Sequence, residues 1–248
     1  MGGSEVRANG DPGRIFAIGD IHGCVDELKR LLDAIPAGAE DTVVFVGDYI
    51  DRGPNSRGVI EHLLEWRTRT PARSVFLKGN HEDMALGFLG RGGQWGEAWL
   101  RNGGVAALRS YGIDPHVKNA DVALRMPVTH MDFLMALETS FPWGGYRVVH
   151  AGIRPGVAWE AQKTEDLLWI REEFLDHPHD LGVTVVFGHT PHRRVVNGQP
   201  YRIGIDTGCV YGGALTCLML PEGHVYQVRL GDTAVREDSL AGATRRRP

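Results

Sequence analysis

The feature that most constrains this 248-residue chain is a polar motif that recurs after short apolar runs. Each run leads into a glycine or another small residue beside a residue that can bind a metal ion. The motifs are GDIHG at 19–23, GDYIDRG at 47–53, GNHE at 79–82, HAG at 150–152 and GHT at 188–190. Because the carboxyl ends of strands in open α/β folds converge on one crevice, we expect these motifs to surround a single point.

The residues between the first motifs indicate that strands and helices alternate. After the first motif, apolar residues recur at helical spacing from Val25 to Ile35. After the second motif, Ser56 is placed to cap a helix that carries Val59 and Ile60. This β-loop-α rhythm predicts an α/β core with buried strands.

The remainder of the chain adds helices first and strands afterwards. Residues 82–142 are expected to be mostly helical. Strand patterns then follow at 148–149, 183–187, 202–205, 215–220 and 225–230. The whole pattern predicts an α/β fold of the α+β sandwich type, with two mixed β-sheets flanked by helices.

The chain shows no linker, so we expect one domain over residues 14–238 with flexible tails at 1–13 and 239–248. The N-terminus lacks the apolar core of a signal peptide, and no apolar run approaches the roughly 20 residues of a membrane helix. Three cysteines without CxxC spacing suit a reducing compartment. A net charge of −4 without a basic stripe argues against a nucleic-acid partner. We therefore expect a cytoplasmic protein with neither a nucleic-acid nor a membrane partner.

The residue types in the motifs point to a metal centre. The candidate ligands, which offer oxygen and imidazole donors without thiolate, are Asp20, His22, Asp48, Asn80, His150 and His189. Such donors suit a site for a borderline divalent ion, whereas a structural zinc site is usually rich in cysteine. Six ligands are too many for one open tetrahedral site and fit two octahedral ions that share a carboxylate. We expect Mn²⁺ at a dinuclear site, with Fe or Zn as alternatives.

Together, the five motifs resemble the signature of the PPP family of metallophosphatases, within the calcineurin-like metallophosphoesterase superfamily. The similarity runs from about Arg14 to Leu230, and it is strongest to compact bacterial and phage serine/threonine protein phosphatases. The stretches WLRNGGVAALRSYG at 99–112 and DLLWIREEF at 166–174 also resemble those enzymes. The resemblance implies a β-sandwich flanked by helices, with the metal ions at the sheet edges.

The resemblance divides the six ligands between two metal ions. The first ion is expected to bind to Asp20, His22 and Asp48. The second ion is expected to bind to Asp48, Asn80, His150 and His189. Asp48 would therefore bridge the two ions, and the implied reaction is direct attack of a metal-bridging hydroxide on phosphorus.

The resemblance also implies the residues that handle the proton and the phosphate. His81 is expected to be the general acid, and Asp51 to orient its ring and favour its charged form. Arg52 and Arg171 are expected to bind the phosphate oxygens, together with Asn80.

Asp51 and Glu82 bear on the choice of substrate. Symmetrical bis(5′-nucleosyl)-tetraphosphatases, which hydrolyse diadenosine tetraphosphate, typically depart from the aspartate and carry GNHD in place of GNHE. Because this chain keeps both protein-phosphatase forms, we expect a phosphatase of phosphoserine and phosphothreonine, with phosphotyrosine as a further substrate. The tetraphosphatase is the alternative, and an inactive scaffold that binds phosphorylated proteins is a remote one. Phosphorylated proteins or small phosphoesters are the expected substrates, with no obligatory regulatory subunit.

Several other residues have plainer interpretations. Cys24 follows the first motif and is expected to be a small buried filler. Cys209 and Tyr211 are expected on a loop, IDTGCVYGG at 205–213, that overhangs the site, with Tyr211 as a candidate substrate contact. The six tryptophans are expected to pack the helical region.

Overall fold

The computed structural model describes residues 13–116 and 119–241, and the rest of both predicted tails lies outside the described residues. Its α-helices are α1 (Val25–Ala34), α2 (Ser56–Arg69), α3 (Asn80–Phe88), α4 (Gly104–Ser110), α5 (Asn119–Arg125), α6 (Val128–Met135), α7 (Thr164–Trp169) and α8 (Glu172–Leu175). Its strands are β1 (Ile15–Ile18), β2 (Thr42–Phe45), β3 (Arg73–Phe76), β4 (Ser140–Trp143), β5 (Tyr146–Val149), β6 (Thr184–Phe187), β7 (Val196–Gly198), β8 (Arg202–Gly204), β9 (Ala214–Leu220), β10 (His224–Arg229) and β11 (Arg236–Ser239).

The strands form two sheets. The first has the order β11-β10-β9-β1-β2-β3, in which β1, β2 and β3 are parallel and the other neighbours are antiparallel. The second has the order β4-β5-β6-β8-β7, with β5, β6 and β8 parallel and an antiparallel strand at each edge. Both sheets are therefore mixed, as the sequence predicts.

Strand β1 shows how the layers are arranged. Ile15 and Ala17 point into the core between the two sheets, whereas Phe16 and Ile18 point into the core beneath the helices. Since successive side chains on a strand point to opposite faces, a strand covered on both faces must be apolar throughout. On the outer face of the second sheet, α8 contributes Phe174 to a third core. The layers are thus helix, sheet, sheet and helix, which confirms the predicted sandwich.

The structure differs from the sequence prediction mainly at the sheet edges. Strands β4, β7 and β11 were not predicted, because they are short and lack apolar alternation; β4 also contains Pro142, which edge strands tolerate. The fold also continues past the predicted boundary at residue 238. Ser239 pairs with His224, and Leu240 is buried between the sheets. No helix among the described residues is long and apolar enough to cross a membrane.

Candidate active site

The five motifs meet at one edge of the sandwich, where β1, β2, β3, β5 and β6 end. The first two are joined by the N–H of His22, which donates to the carbonyl of Asp48 at 2.8 Å. The N–H of His81 donates to Asp48 Oδ1 at 3.1 Å, which adds the third motif. The N–H of His189 donates to Asp20 Oδ2 at 2.9 Å, so the second sheet is tied to the first. Residues far apart in sequence are therefore neighbours, as predicted.

One glycine is required where the second and third motifs touch. Gly47 has a φ of +110°, and a Cβ atom at this position would lie 2.5 Å from the backbone nitrogen of Gly79. Both the backbone conformation and the close approach exclude a side chain. The loop after β2 can therefore lie directly against the loop after β3.

Four candidate ligands converge around Asn80. Its Oδ1 lies 3.0 Å from His150 Nε2 and 2.9 Å from His189 Nδ1, and His150 Nε2 lies 3.5 Å from Asp48 Oδ1. His150 Nδ1 lies 3.0 Å from the carbonyl oxygen of Val46. Donation of Nδ1–H to that carbonyl leaves the Nε2 lone pair directed at the cluster, as for a metal-binding histidine. The structure thus brings together the four residues predicted for the second ion.

The residues predicted for the first ion lie beside this cluster. His22 Nε2 lies 3.4 Å from Asp48 Oδ2, and its Nδ1 lies 2.8 Å from the carbonyl of Ile50, so the tautomer again presents Nε2. Burial lowers the pKa of His22 to about 3, which keeps the imidazole in the neutral form that binds metals. Ligand atoms of His22, Asp48 and His81 all lie within 4.8 Å of one another. Asp20 lies next to this group, where it accepts the N–H of His189.

A buried carboxylate that the sequence analysis did not assign, Asp206, also lies at the site. Burial, together with the charges of Asp206 and Asp48, raises the pKa of Asp20 well above its usual value. Burial likewise raises the pKa of Asp206 to about 6, and its Oδ1 accepts the N–H of Gly208 at 2.9 Å. Asp206 directly follows the apolar segment of β8 and Ile205. The strand-end pattern used for the other ligands would therefore have found it.

The predicted general acid is held by a chain of buried side chains. His81 Nδ1 lies 2.6 Å from Asp51 Oδ2, and the indole N–H of Trp99 donates to both oxygens of Asp51 at 3.0 and 2.9 Å. Burial lowers the pKa of His81 to about 4, and the guanidinium groups of Arg52 and Arg171 act in the same direction. Burial and the two arginines therefore favour the neutral ring in the absence of substrate, and the effect of Asp51 on the charge of the ring stays a prediction.

Trp99 was expected to serve only as packing. It does pack against Phe88, with ring centres 4.9 Å apart, but its N–H is bound to the site. The signal for this role was available, because a buried tryptophan usually needs a hydrogen-bond partner for its indole N–H. Nothing in the sequence indicates that Asp51 is this partner, because Asp51 is 48 positions away.

The two predicted phosphate-binding arginines border the metal-type ligands. Arg52 is exposed, and its Nη1 lies 2.7 Å from His22 Nε2. The central guanidinium carbon of Arg52 is 5.7 Å from the ring centre of Tyr211, so the 205–213 loop reaches the site. Arg171 Nη1 donates to the hydroxyl of Thr190 at 3.0 Å. Both cations are therefore available to an anion at this edge.

Glu82 fixes the loop that carries Asp48. Its Oε2 accepts the N–H groups of Asp48 and Gly79, each at 2.9 Å, and its Oε1 accepts the N–H of Tyr49 at 2.8 Å. The glutamate of the GNHE motif is thus a support for the bridging residue of the predicted site.

The backbone at the site is strained. Of the six described non-glycine residues with positive φ, five belong to the motifs: His22 (44°), Asp48 (52°), Asp51 (74°), Arg52 (64°) and His189 (63°). Such conformations persist only where surrounding contacts enforce them, and they concentrate at functional sites.

The donor set fits divalent metal ions. The carboxylates of Asp20, Asp48 and Asp206 are buried close together, which is unfavourable unless cations compensate their charge. The imidazoles between them present lone pairs, and His189 Nε2 is buried without a hydrogen-bond partner in the described structure. Carboxylate, amide and neutral imidazole ligands together suit ions such as Mn, Fe or Zn.

Sequence comparison agrees with this geometry. Residues 13–222 match the calcineurin-like phosphoesterase family, and the chain belongs to that family. The fold and the clustered ligands define a metallophosphoesterase, a hydrolase of phosphoesters from a family that uses a dinuclear divalent metal site.

Its relatives carry two kinds of name. Serine/threonine-protein phosphatase 1 of Salmonella typhimurium is 35% identical over 209 residues, which cover 82% of this chain and 89% of that protein. The asymmetrical bis(5′-nucleosyl)-tetraphosphatase of Halalkalibacterium halodurans is 29% identical, with 83% and 89% covered. A symmetrical bis(5′-nucleosyl)-tetraphosphatase of Legionella pneumophila is 25% identical, with 86% and 96% covered.

Proposed function

We propose that this metallophosphoesterase is a bacterial serine/threonine protein phosphatase. The observation that carries the proposal is the buried pair of His81 and Asp51, joined at 2.6 Å beside two arginines. A serine or threonine alkoxide is a strong base and needs a proton as it leaves, whereas the phosphate released from an anhydride is a weak base and does not. A dedicated proton donor is therefore more useful for phosphoprotein esters than for dinucleotide polyphosphates.

The metal ions of this proposal are Mn²⁺, with Fe or Zn as alternatives. They would be held by Asp20, His22, Asp48, Asn80, His150 and His189, with Asp48 shared. Supporting this assignment are the convergence of four ligands around Asn80 and the neutral tautomers of the imidazoles. When bound, two such ions supply Lewis acidity that activates the attacking water and offsets the charge of the phosphate oxygens.

The remaining residues have distinct tasks. The guanidinium groups of Arg52 and Arg171 would bind phosphate oxygens, and the amide nitrogen of Asn80 would assist them. Burial is the main cause of the lowered pKa of His81, and a phosphate dianion between the arginines would offset the further lowering by Arg52 and Arg171. Substrate binding would thus favour protonated His81, which then gives its proton to the leaving alkoxide while Asp51 fixes the ring.

Two other functions compete with this one. A symmetrical bis(5′-nucleosyl)-tetraphosphatase is supported by the relative of that name, at 25% identity. An inactive phosphoprotein-binding scaffold has no such support, since every predicted ligand, His81 and Arg52 are present. We also propose that the protein acts in the cytoplasm without an obligatory regulatory subunit. The unpaired state of Cys24, Cys209 and Cys217 supports a reducing compartment.

The test is phosphate release from a phosphothreonine peptide and from diadenosine tetraphosphate, measured side by side with Mn²⁺ and with chelator. We expect chelator-sensitive turnover of the peptide and a much lower kcat/KM for the dinucleotide. A strong preference for the dinucleotide would overturn the substrate assignment. Absence of turnover on either compound, with metal bound, would support the scaffold.

A further inference from the structure

A groove of about 940 Å³ opens beside the site and contains none of the proposed catalytic residues. It is lined by the segment 191–195, the loop 207–214 and strands β10 and β11. Four arginines contribute to its walls: Arg193, Arg194, Arg229 and Arg236. Two carboxylates, those of Glu237 and Asp238, also line it. The groove is therefore mainly cationic in a chain whose net charge is −4.

The groove is continuous with the catalytic edge. Tyr211 lines the groove and also lies against Arg52, with 5.7 Å from the guanidinium carbon to its ring centre. In the lining segment 191–195, Arg193 is four residues after His189. Four residues of extended chain span at most about 14 Å, so the Cα atoms of His189 and Arg193 lie within this distance of each other. A peptide segment of about four extended residues is therefore long enough to connect His189 with Arg193.

The strand register separates the charges along the groove. Arg229 pairs with Ala214, at the end of the loop that carries Tyr211. Asp238 pairs with Val225, which lies four residues before Arg229 in β10. The arginine therefore lies toward the catalytic edge, and the carboxylate lies at the opposite end.

The arginines nearest the site have no ion-pair partner in the described part of the chain. Among residues 13–116 and 119–241, no ion pair involves Arg193, Arg194 or Arg229, whereas Arg236 contacts Asp232 at 3.4 Å. Guanidinium groups match carboxylates and phosphates with paired hydrogen bonds. An anionic partner would supply the ion pairs that these exposed groups lack among the described residues.

We propose that this groove binds acidic side chains that flank the phosphorylated residue of a peptide substrate, so that the enzyme prefers phosphosites in acidic sequences. The inference rests on the proposed protein phosphatase function. A dinucleotide polyphosphate fits less well, because Tyr211 is the only phenylalanine, tyrosine or tryptophan in the lining and could stack on one base alone. The carboxylates at the far end would also repel a continuous polyphosphate.

The test uses three phosphothreonine peptides that are identical except for neutral, acidic or basic residues two to four positions from the phosphothreonine. For the wild type we expect kcat/KM for the acidic peptide to exceed that for the neutral one about tenfold, mainly through KM. The double variant Arg193→Glu, Arg194→Glu is expected to lose this preference, and Arg229→Ala to reduce it. Turnover of p-nitrophenyl phosphate should be unchanged in both variants, because this substrate has no flanking residues.

A matched control places the same charge change elsewhere. Arg67 and Arg69 lie at the end of α2, about 20 Å along the helix from Ser56. The variant Arg67→Glu, Arg69→Glu should keep the acidic preference. Equal kcat/KM for all three peptides, or a preference that survives in Arg193→Glu, Arg194→Glu, would overturn the inference and leave the protein phosphatase standing. Turnover of p-nitrophenyl phosphate without turnover of any peptide would instead contradict the proposed function.

Discussion

At the scale of single residues, the charges and the burial around His81 control the protonation state of its ring. Its ring is buried, and burial with the two arginines lowers its pKa to about 4. Its partner Asp51 is fixed in turn by Trp99. The orientation of the ring is therefore set before substrate arrives, while its proton depends on the anion that substrate brings.

Replacing His81 by asparagine tests the general-acid role. We expect kcat for phosphoserine or phosphothreonine substrates to fall by about 10²–10⁴-fold, the usual contribution of general acid catalysis. The loss on p-nitrophenyl phosphate should be much smaller, because nitrophenolate leaves without a proton. Metal content, measured in parallel, should be retained. Equal losses on both substrates would remove His81 from this role.

Replacing Trp99 by phenylalanine tests the support of Asp51. Phenylalanine keeps an aromatic ring but cannot donate to the carboxylate, and a hydrogen bond to a charged group is worth about 1.5–3 kcal/mol. We expect kcat on phosphothreonine peptide to fall by at least about tenfold, with KM and metal content unchanged. Trp95→Phe is the matched control. Because Trp95 is 50% exposed, its replacement should leave kcat unchanged. Wild-type kcat in Trp99→Phe would show that Asp51 needs no such support.

At the scale of elements, one contact aligns the two strands that lead into the first motifs. Asp41 precedes β2 and accepts hydrogen bonds from Arg14 N at 2.8 Å, from Arg14 Nη2 at 2.7 Å and from the N–H of Gly38 at 2.8 Å. The next residues, Ile15 and Thr42, begin the parallel pairing of β1 and β2. The start of this pairing is thus held by a side chain as well as by the sheet.

The pH dependence of stability tests this contact. Burial acts to raise the pKa of Asp41, but hydrogen bonds from Arg14 and Gly38 outweigh it and hold the pKa below its usual value. Because the pKa is lowered on folding, the ionised Asp41 gives its full stabilisation at pH values above its unfolded pKa of about 3.9. That stabilisation is lost as the pH falls through the folded pKa. We expect Asp41→Asn to reduce the free energy of unfolding by about 1–3 kcal/mol at pH 7.

Urea unfolding of Asp41→Asn and wild type at pH 7 and at pH 3.5 provides the measurement. The difference between them should shrink at the lower pH, because pH 3.5 lies below the unfolded pKa of about 3.9, and the unfolded wild-type chain gains stability there by protonation of Asp41. Asp33→Asn, at an exposed position of α1, is the control and should differ little from wild type at either pH. A difference for Asp41→Asn that stays constant with pH would contradict the ionic character of the contact.

At the scale of the whole molecule, the sandwich brings the ends of strands from two sheets to one edge. This could be predicted, because residues such as Asp20, Asp48 and His150 come directly after apolar strands, and strand ends converge. The contact of Trp99 with Asp51 could not be predicted, because tertiary packing places the indole beside Asp51 without any local sequence pattern. Strand β11 was equally hidden, since the residues Arg236–Ser239 are all exposed and show no alternation.

We propose that this edge holds two divalent ions that share Asp48. The most direct measurement is the number of metal ions per chain, determined by elemental analysis after Mn²⁺ loading, for wild type, Asp48→Asn and the exposed control Asp132→Asn. We predict two ions per chain for wild type and the control, and fewer than one for Asp48→Asn, whose phosphatase activity should fall in parallel. Two ions retained in Asp48→Asn, or a single ion in the wild type, would contradict the account.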